Sequence, residues 1–188
     1  ELVLNNHKLR FDLLSDIEQT EISDRKQSRL YNGIQSSGNL FQRNEKSFQL
    51  LSLALKKMIQ KYYEMHQTSP CAFIKLFPKD IQFSSSWYVR MKQGGHLNSH
   101  IHEDGWISGA VYLSIPKLRE NPDEGAIELS TDGDNYPKQH NNFPKLTILP
   151  DEGDVIFFPS SVFHRTIPFN SNEERICIAF DLKPSLKS

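Results

Sequence analysis

Hydrophobic and polar positions follow two different periods along the chain, and the change falls near residue 70. Between Asn44, which is a plausible N-cap, and Ser69-Pro70, which ends the segment, apolar side chains recur at helical spacing, while lysines and glutamine fall largely on the other side. This spacing predicts a helix with one face packed on a sheet, and a weaker pattern predicts a second helix within residues 15–31. The apolar face consists of Phe48, Leu51, Leu55, Met58, Ile59 and Tyr62.

From residue 71 onward the period drops to two, which is typical of β-strands. Turns rich in Gly, Asn and Asp separate the alternating segments, and no helical spacers intervene. The predicted strands are Trp87–Lys92, Leu97–His102, Trp106–Ile115, Ala126–Ser130, Lys145–Leu149, Asp154–Pro159, Phe163–Pro168 and Glu174–Leu182. The chain is therefore expected to be mainly β, an antiparallel sandwich or jelly roll over residues 71–188, with a helical segment over residues 1–70 packed on the sheet.

Charge and cysteine usage narrow the class of protein. The 188 residues carry 22 basic and 23 acidic side chains, so no net field favours nucleic acid or an anionic membrane as a partner. No run of 18 apolar residues predicts a membrane span. Two distant cysteines, Cys71 and Cys177, form no disulfide framework, which predicts reduced thiols in a cytoplasmic protein. A first residue of Glu1 rather than Met suggests one domain of a longer chain.

Histidines supply the candidate metal site. His100 and His102 flank Ile101 on a predicted strand, where residues two apart project from the same face. His164 opens a late strand among apolar residues, and three neutral imidazoles suit Fe(II), Zn, Cu or Ni. His102 and Asp104 also form an HxD pair, the commoner element of a two-histidine, one-carboxylate site. We prefer His100, His102 and His164 as ligands, with Asp104 as the alternate ligand or an acceptor for a ligand histidine.

A guanidinium lies eleven residues beyond His164. Strand parity puts Arg175, Cys177 and Ala179 on one face of the last strand. The other face carries Ile176, Ile178 and Phe180. Arg175 can form a bidentate pair with a carboxylate, and the distal carboxylate of 2-oxoglutarate is one candidate. The alternative is an ordinary salt bridge to a neighbouring acid. Three aromatic residues are candidates for a substrate pocket, with simple packing as the alternative: Tyr88, Trp106 and Tyr112.

Several motifs together resemble the 2-oxoglutarate/Fe(II) oxygenase family of bacteria and phages. They are the segments Trp87–Gly95 and His100–Leu113, the Phe157-Phe158-Pro159 run, His164, and Arg175–Phe180. The resemblance extends over most of residues 30–184. It implies a double-stranded β-helix of cupin-like type, with ligand roles for His100 and His164 and a cosubstrate role for Arg175. Cys177 stands where a serine or another small polar group often assists that arginine.

The expected function is that of an Fe(II)- and 2-oxoglutarate-dependent dioxygenase that hydroxylates a C–H bond. The fold does not specify the substrate, so proteins and small metabolites both remain open. Two alternatives stand beside this one. A cupin-like metalloprotein would share the sheets and the metal but not need 2-oxoglutarate, so that Arg175 would be dispensable. A non-catalytic interaction module would bind no iron at all.

Overall fold

Antiparallel strands dominate the computed structural model, which describes residues 7–19, 22–25 and 27–185. In these residues the larger sheet has the order β1-β2-β3-β9-β4-β7, and the smaller sheet has the order β6-β5-β8. Each paired strand runs antiparallel to its neighbours. The strands are β1 (Asp24–Arg25), β2 (Leu30–Ser36), β3 (Ile81–Leu97), β4 (Ile107–Ser114), β5 (Ile127–Ser130), β6 (Lys145–Ile148), β7 (Val155–Pro159), β8 (Phe163–Thr166) and β9 (Arg175–Pro184).

Helices cover one face of the larger sheet. They are α1 (His7–Gln19), α2 (Lys46–His66), the short α3 (Ala72–Lys75) and a 3-10 turn at Leu40–Gln42. The helix predicted from the apolar stripe is confirmed as α2, and its residues Phe48, Leu51 and Ile59 are fully buried. They pack with Ile178 and Phe180 of β9, so the aliphatic face of the last strand is core, as its parity predicts. None of the described helices combines the length and apolar character needed to cross a bilayer.

The second helix predicted within residues 15–31 is wrong in its position. The structure instead has α1 at His7–Gln19, followed by β1 and β2. Leu9, Leu13 and Ile17 form the buried face of α1, at spacings of four residues. Because β2 pairs with β3, the first seventy residues add a strand to the larger sheet as well as helices. The division into segments 1–70 and 71–188 stays a prediction.

The strand predicted at Leu97–His102 is also wrong. β3 ends at Leu97, and residues 98–106 form a connection without regular strand structure. His100 makes an isolated bridge to His164, with the backbone N–H of each donating to the carbonyl of the other. The His102 N–H donates to the carbonyl of Ser160. The segment therefore crosses from the larger sheet to β8 of the smaller sheet, which is why it cannot continue the ladder of β3.

The remaining predicted strands overlap β3 to β9, with ends that differ by a few residues except at β3, which begins six residues earlier, at Ile81. Between the two sheets lies a second apolar cluster that includes Val89, Met91, Tyr112 and Cys177. This cluster occupies the face of the larger sheet opposite the helices. The chain thus folds as a double-stranded β-helix with an interior space between its sheets.

Candidate metal and cosubstrate site

A cavity opens between the two sheets. Alternation along β9 turns Arg175, Cys177 and Ala179 toward this cavity. The same face continues on the neighbouring strands, because Cys177 lies opposite Val89 of β3 and Tyr112 of β4. The alternation of side chains along these strands therefore determines which residues of the larger sheet line the cavity.

Three imidazoles meet at one end of this cavity. The ring centroids of His100 and His164 are 4.2 Å apart, and that of His102 lies 4.9 Å from His164 and 5.3 Å from His100. One ligand nitrogen from each ring lies within 4.8 Å of the others. Among the described residues, these three side chains form the group of His, Cys, Asp or Glu residues that is arranged to hold a metal ion.

The hydrogen bonds of the three rings leave the same nitrogen free on each. The Nδ1 of His100 lies 2.7 Å from the carbonyl of Asn98, and the Nδ1 of His164 lies 3.3 Å from that of Val162. The Nδ1 of His102 lies 2.5 Å from a carboxylate oxygen of Asp181. Because these oxygens can only accept, each Nδ1 carries the proton, and each Nε2 keeps its lone pair. A set of three Nε2 atoms is therefore available to a cation.

Burial keeps two of the rings neutral. Loss of hydration lowers the pKa of His100 to about 4. The same effect, followed by the nearby His100 and His102, lowers the pKa of His164 well below its usual value. Neutral imidazole is the form that coordinates metals, so these two rings need not lose a proton to bind one near pH 7. The donor set fits Fe(II), for which imidazole is a suitable ligand.

Asp181 is surrounded by hydroxyl groups as well as by His102. Its Oδ1 lies 2.6 Å from the Ser108 hydroxyl, and its Oδ2 accepts a hydrogen bond of 3.0 Å from Ser85. The Ser108 oxygen also lies 2.8 Å from the hydroxyl of Ser160 and 3.1 Å from the Nδ1 of His102. Sequence reasoning did not single out Asp181. The parity that put Arg175 and Cys177 on one face would have found it, since Asp181 is six residues after Arg175.

Arg175 lies in the same cavity and is only 2% exposed. Its Nε donates to the carbonyl of Gly125 at 2.8 Å, and its guanidinium carbon lies 5.1 Å from the centroid of the Tyr112 ring. A weaker contact of 3.9 Å joins its Nη1 to the sulfur of Cys177. Among the described residues, no carboxylate forms an ion pair with this guanidinium. Burial raises the pKa of the Cys177 thiol, which favours its protonated form.

The other predicted residues divide between the cavity and the rest of the molecule. Tyr112 lines the cavity, and burial raises the pKa of its phenol. Tyr88 lies on the helix-facing side of β3, where its hydroxyl donates to Asp24. The indole of Trp106 stacks on Phe73 in the same core. Asp104 is exposed in the connection after His102 and is not part of the group of three histidines.

A second, polar cavity borders His100 and His102. It shares Gln35, Trp87, His100 and His102 with the first cavity. Gln35 is 8% exposed, and none of the hydrogen bonds among the described residues engages its side-chain amide. Neither Gln35 nor Trp87 was predicted as a site residue. For Trp87 the missing signal was parity with Val89, whereas β2, which carries Gln35, was not predicted at all.

Several solved structures have a similar fold. The chain matches HygX from Streptomyces hygroscopicus, solved with nickel and 2-oxoglutarate, at a TM-score of 0.63 and 12% identity, over 96% of this chain and 80% of that one. A prolyl-4-hydroxylase from Pseudomonas putida matches at a TM-score of 0.61 and 13% identity, over 95% and 85%. The viral collagen prolyl hydroxylase of Paramecium Bursaria Chlorella virus-1, in complex with 2OG, matches at 0.56 and 18%, over 95% and 91%.

These likenesses define the fold class, the double-stranded β-helix of 2-oxoglutarate oxygenases. The sequence model of the family described as "Putative 2OG-Fe(II) oxygenase" matches residues 85–181, just over half of the chain. The chain belongs to this family, and it is a 2-oxoglutarate- and Fe(II)-dependent dioxygenase. None of the curated proteins matches the sequence.

Proposed function

We propose that this dioxygenase hydroxylates a C–H bond of its substrate, with His100, His102 and His164 as the ligands of Fe(II) and Arg175 as the anchor of 2-oxoglutarate. One observation carries the assignment. A single cavity has three converging imidazoles at one end and, elsewhere in its wall, a buried guanidinium without a carboxylate partner among the described residues. A keto acid with a second carboxylate has the two functional groups that such a cavity requires.

The three histidines hold the metal through their Nε2 atoms. Their Nδ1 protons are directed to the oxygens of Asn98, Asp181 and Val162, which fixes each ring in the tautomer that can coordinate. When bound there, Fe(II) supplies the redox chemistry that couples the decarboxylation of 2-oxoglutarate to the oxidation of a C–H bond by O2. Asp104 remains the alternate ligand, but its exposure favours the three-histidine set.

Arg175 binds the distal carboxylate of the cosubstrate. Its guanidinium is already desolvated, so an entering carboxylate gains a charge-assisted pair without the cost of burying the arginine at that moment. Tyr112 packs on the guanidinium and restricts its movement. The thiol of Cys177 lies beside the same group, where a serine would offer a stronger hydrogen bond.

The substrate enters through the polar cavity next to His100 and His102. Its walls include the side-chain amide of Gln35, which makes no hydrogen bond to another described residue although Gln35 is only 8% exposed. An unpaired amide in the wall of a cavity favours a ligand that can donate or accept a hydrogen bond. This supports a polar substrate, either a small metabolite or the side chain of a protein.

The thiols of Cys71 and Cys177 form no disulfide, in keeping with a cytoplasmic location.

Release of succinate from 2-oxoglutarate tests the assignment. We expect the purified protein, supplied with Fe(II), O2 and 2-oxoglutarate, to form succinate slowly even without its substrate. Arg175→Met should weaken 2-oxoglutarate binding about 100-fold or more, because it removes one partner of a buried charge pair. The control Arg10→Met removes an arginine of α1 that pairs with Glu152 and does not line the cavity, so it should leave 2-oxoglutarate binding unchanged.

The same variants separate the alternatives. If Arg175→Met binds 2-oxoglutarate as tightly as wild type, Arg175 is not the anchor. If wild-type protein binds iron but neither binds nor consumes 2-oxoglutarate, the cupin-like alternative is correct. If His164→Ala binds Fe(II) as tightly as wild type, the proposed ligand set is wrong.

A further inference from the structure

We propose that Asp181 is a positioning residue that acts on the metal through His102 and supplies the negative charge that three imidazoles lack. The inference rests on the proposed ligand set. Non-haem Fe(II) sites commonly combine two histidines with one carboxylate, and that carboxylate offsets one of the two charges of the metal. Three neutral imidazoles offset none. Asp181 is a carboxylate in direct contact with one of the three rings, that of His102, and it can therefore supply this missing charge.

The contact has the geometry of a carboxylate that orients a ligand histidine. The Oδ1 of Asp181 lies 2.5 Å from the Nδ1 of His102, which leaves the other ring nitrogen, Nε2, for the metal. Such a bond fixes the tautomer and orientation of the ring and raises its basicity as a ligand. The Asp181 side chain is 13% exposed and that of His102 is 17% exposed, so water screens the interaction only weakly.

The surrounding hydroxyl groups hold the carboxylate in place. Ser85 donates to Oδ2, and Ser108 lies within hydrogen-bonding distance of both Oδ1 and the Nδ1 of His102. Asp181 also sits on the ladder of β9 between Ser85 of β3 and Ser108 of β4, so the backbone register itself sets its position. An acid that only stabilised the fold would not need to be directed at a ring of the metal site.

His102, Ser108 and Asp181 each have a distinct role in the proposal. His102 binds the metal, Asp181 orients and polarises His102, and Ser108 orients Asp181. No proton leaves or enters this group in the proposal. The effect of Asp181 on the metal is therefore expected to require His102 and to vanish when the imidazole is absent.

The test is a double-mutant cycle read by Co(II) binding. Co(II) titration, followed by its visible absorption, measures metal affinity and geometry without any turnover. Asp181→Asn keeps the shape of the side chain but removes its charge, and we expect it to weaken Co(II) binding 10- to 100-fold and to alter the Co(II) spectrum. In a His102→Ala background the same change should alter the affinity less than twofold.

A second variant covers the case in which Asp181→Asn does not fold. Ser108→Ala removes a hydroxyl that holds Asp181 and should weaken Co(II) binding by a smaller factor. Its control is Ser114→Ala on the same strand, whose hydroxyl donates to the carbonyl of Glu174 and which should bind Co(II) as wild type does. An equal loss from Asp181→Asn with and without His102, or no loss in wild type, would overturn the proposal.

The result of this Co(II) test can be told apart from the result of the 2-oxoglutarate test of the proposed function. Wild-type protein whose Co(II) affinity depends on Asp181 through His102, but which does not bind 2-oxoglutarate, would refute the cosubstrate assignment and still support the role of Asp181. Conversely, normal succinate formation by Asp181→Asn with unchanged Co(II) affinity would leave the oxygenase intact and refute the role of Asp181.

Discussion

A buried charge without a partner is costly, and Arg175 is one. Its guanidinium makes one short hydrogen bond, to the carbonyl of Gly125, and rests on the Tyr112 ring. Removing a cation from water without a nearby anion costs several kcal/mol by the usual order of magnitude. The fold tolerates this cost at the wall of a cavity, where an anionic ligand can offset it. Position and energetics therefore both support the proposed role of Arg175 in ligand binding.

Substitution of Arg175 should accordingly spare the fold. In the absence of ligands, we expect Arg175→Met to unfold in urea with the same free energy as wild type or with a higher one, by up to about 2 kcal/mol. Arg10→Met offers the contrast, because Arg10 has a formed pair with Glu152 and donates to the carbonyl of Leu113. That change should cost about 1–2 kcal/mol. A loss above 2 kcal/mol for Arg175→Met would show that the arginine is structural.

For single residues, the sequence predicts which side chains belong to the candidate site better than it predicts how they are arranged in space. Three histidines and an arginine were recognised from their spacing, and the structure brings all four to one cavity. Asp181 was missed although strand parity places it on the same face as Arg175, and Gln35 was missed because β2 was not predicted. Tyr88 was misplaced for a related reason, since a shift of one position along a strand moves a side chain to the other face.

At the scale of elements, the helices protect the outer face of the larger sheet. Leu9, Leu13 and Ile17 of α1 join α2 and β9 in one core cluster. The sequence predicts α2 well because six apolar residues mark its face, whereas α1 shows only three. β2 was not predicted because a bulge between Tyr31 and Gly33 interrupts its alternation.

Two substitutions on α1 test how much this layer contributes. Leu13 is 1% exposed and Phe11 is 70% exposed, although both are apolar and lie two positions apart. We expect Leu13→Ala to lower the free energy of unfolding by about 2–4 kcal/mol, because it leaves a cavity between α1 and the sheet. Phe11→Ala should change it by less than about 0.5 kcal/mol. Urea denaturation of both variants decides, and equal losses would mean that α1 does not pack as described.

The smaller sheet has its own electrostatic feature. Glu128 of β5 lies opposite Arg165 of β8 and accepts two hydrogen bonds from it, at 2.9 and 3.0 Å. The Arg165 hydrogen bond is the main reason why the pKa of Glu128 is lowered. A carboxylate with a lowered pKa stabilises the folded state above its unfolded pKa, and that contribution is lost as the pH falls through the folded value.

The contribution of the Glu128–Arg165 pair should be visible in how the stability changes with pH. At pH 7 we expect Glu128→Gln to be less stable than wild type by about 0.5–1 kcal/mol, a small value because the Arg165 side chain is 45% exposed. The difference should shrink as the pH falls below about 5 and disappear once Glu128 is protonated in the folded protein. Asp12→Asn, which breaks an exposed pair with Lys8, is the control and should change the stability at pH 7 by less than about 0.5 kcal/mol. A difference between Glu128→Gln and wild type that does not shrink between pH 7 and pH 3 would contradict the assignment.

At the scale of the whole molecule, the candidate site joins the two sheets. His164 belongs to β8 of the smaller sheet, Arg175 and Asp181 belong to β9 of the larger one, and His100 and His102 lie on the segment that crosses between them. The sequence predicts two sheets from turn and strand patterns, but it does not specify that residues 98–106, which join β3 to β4 of the larger sheet, cross to β8 of the smaller sheet on the way. The crossing depends on long-range backbone bonds, such as that from His102 to Ser160, which local patterns do not encode.

A metal bound by residues from both sides should therefore stabilise the fold as a whole. We expect saturating Co(II), at about 100 times its dissociation constant, to raise the free energy of unfolding by roughly 2.7 kcal/mol, since a ligand that binds only the folded state stabilises it by mass action. Thermal unfolding with Co(II), and again after its removal by a chelator, measures this increase. His164→Ala should abolish it, because the smaller sheet then contributes no ligand. His96→Ala should retain it, since His96 stacks on Tyr31 away from the three histidines. If both variants kept the full increase, Co(II) would be binding elsewhere, and the two sheets would be held together without a metal between them.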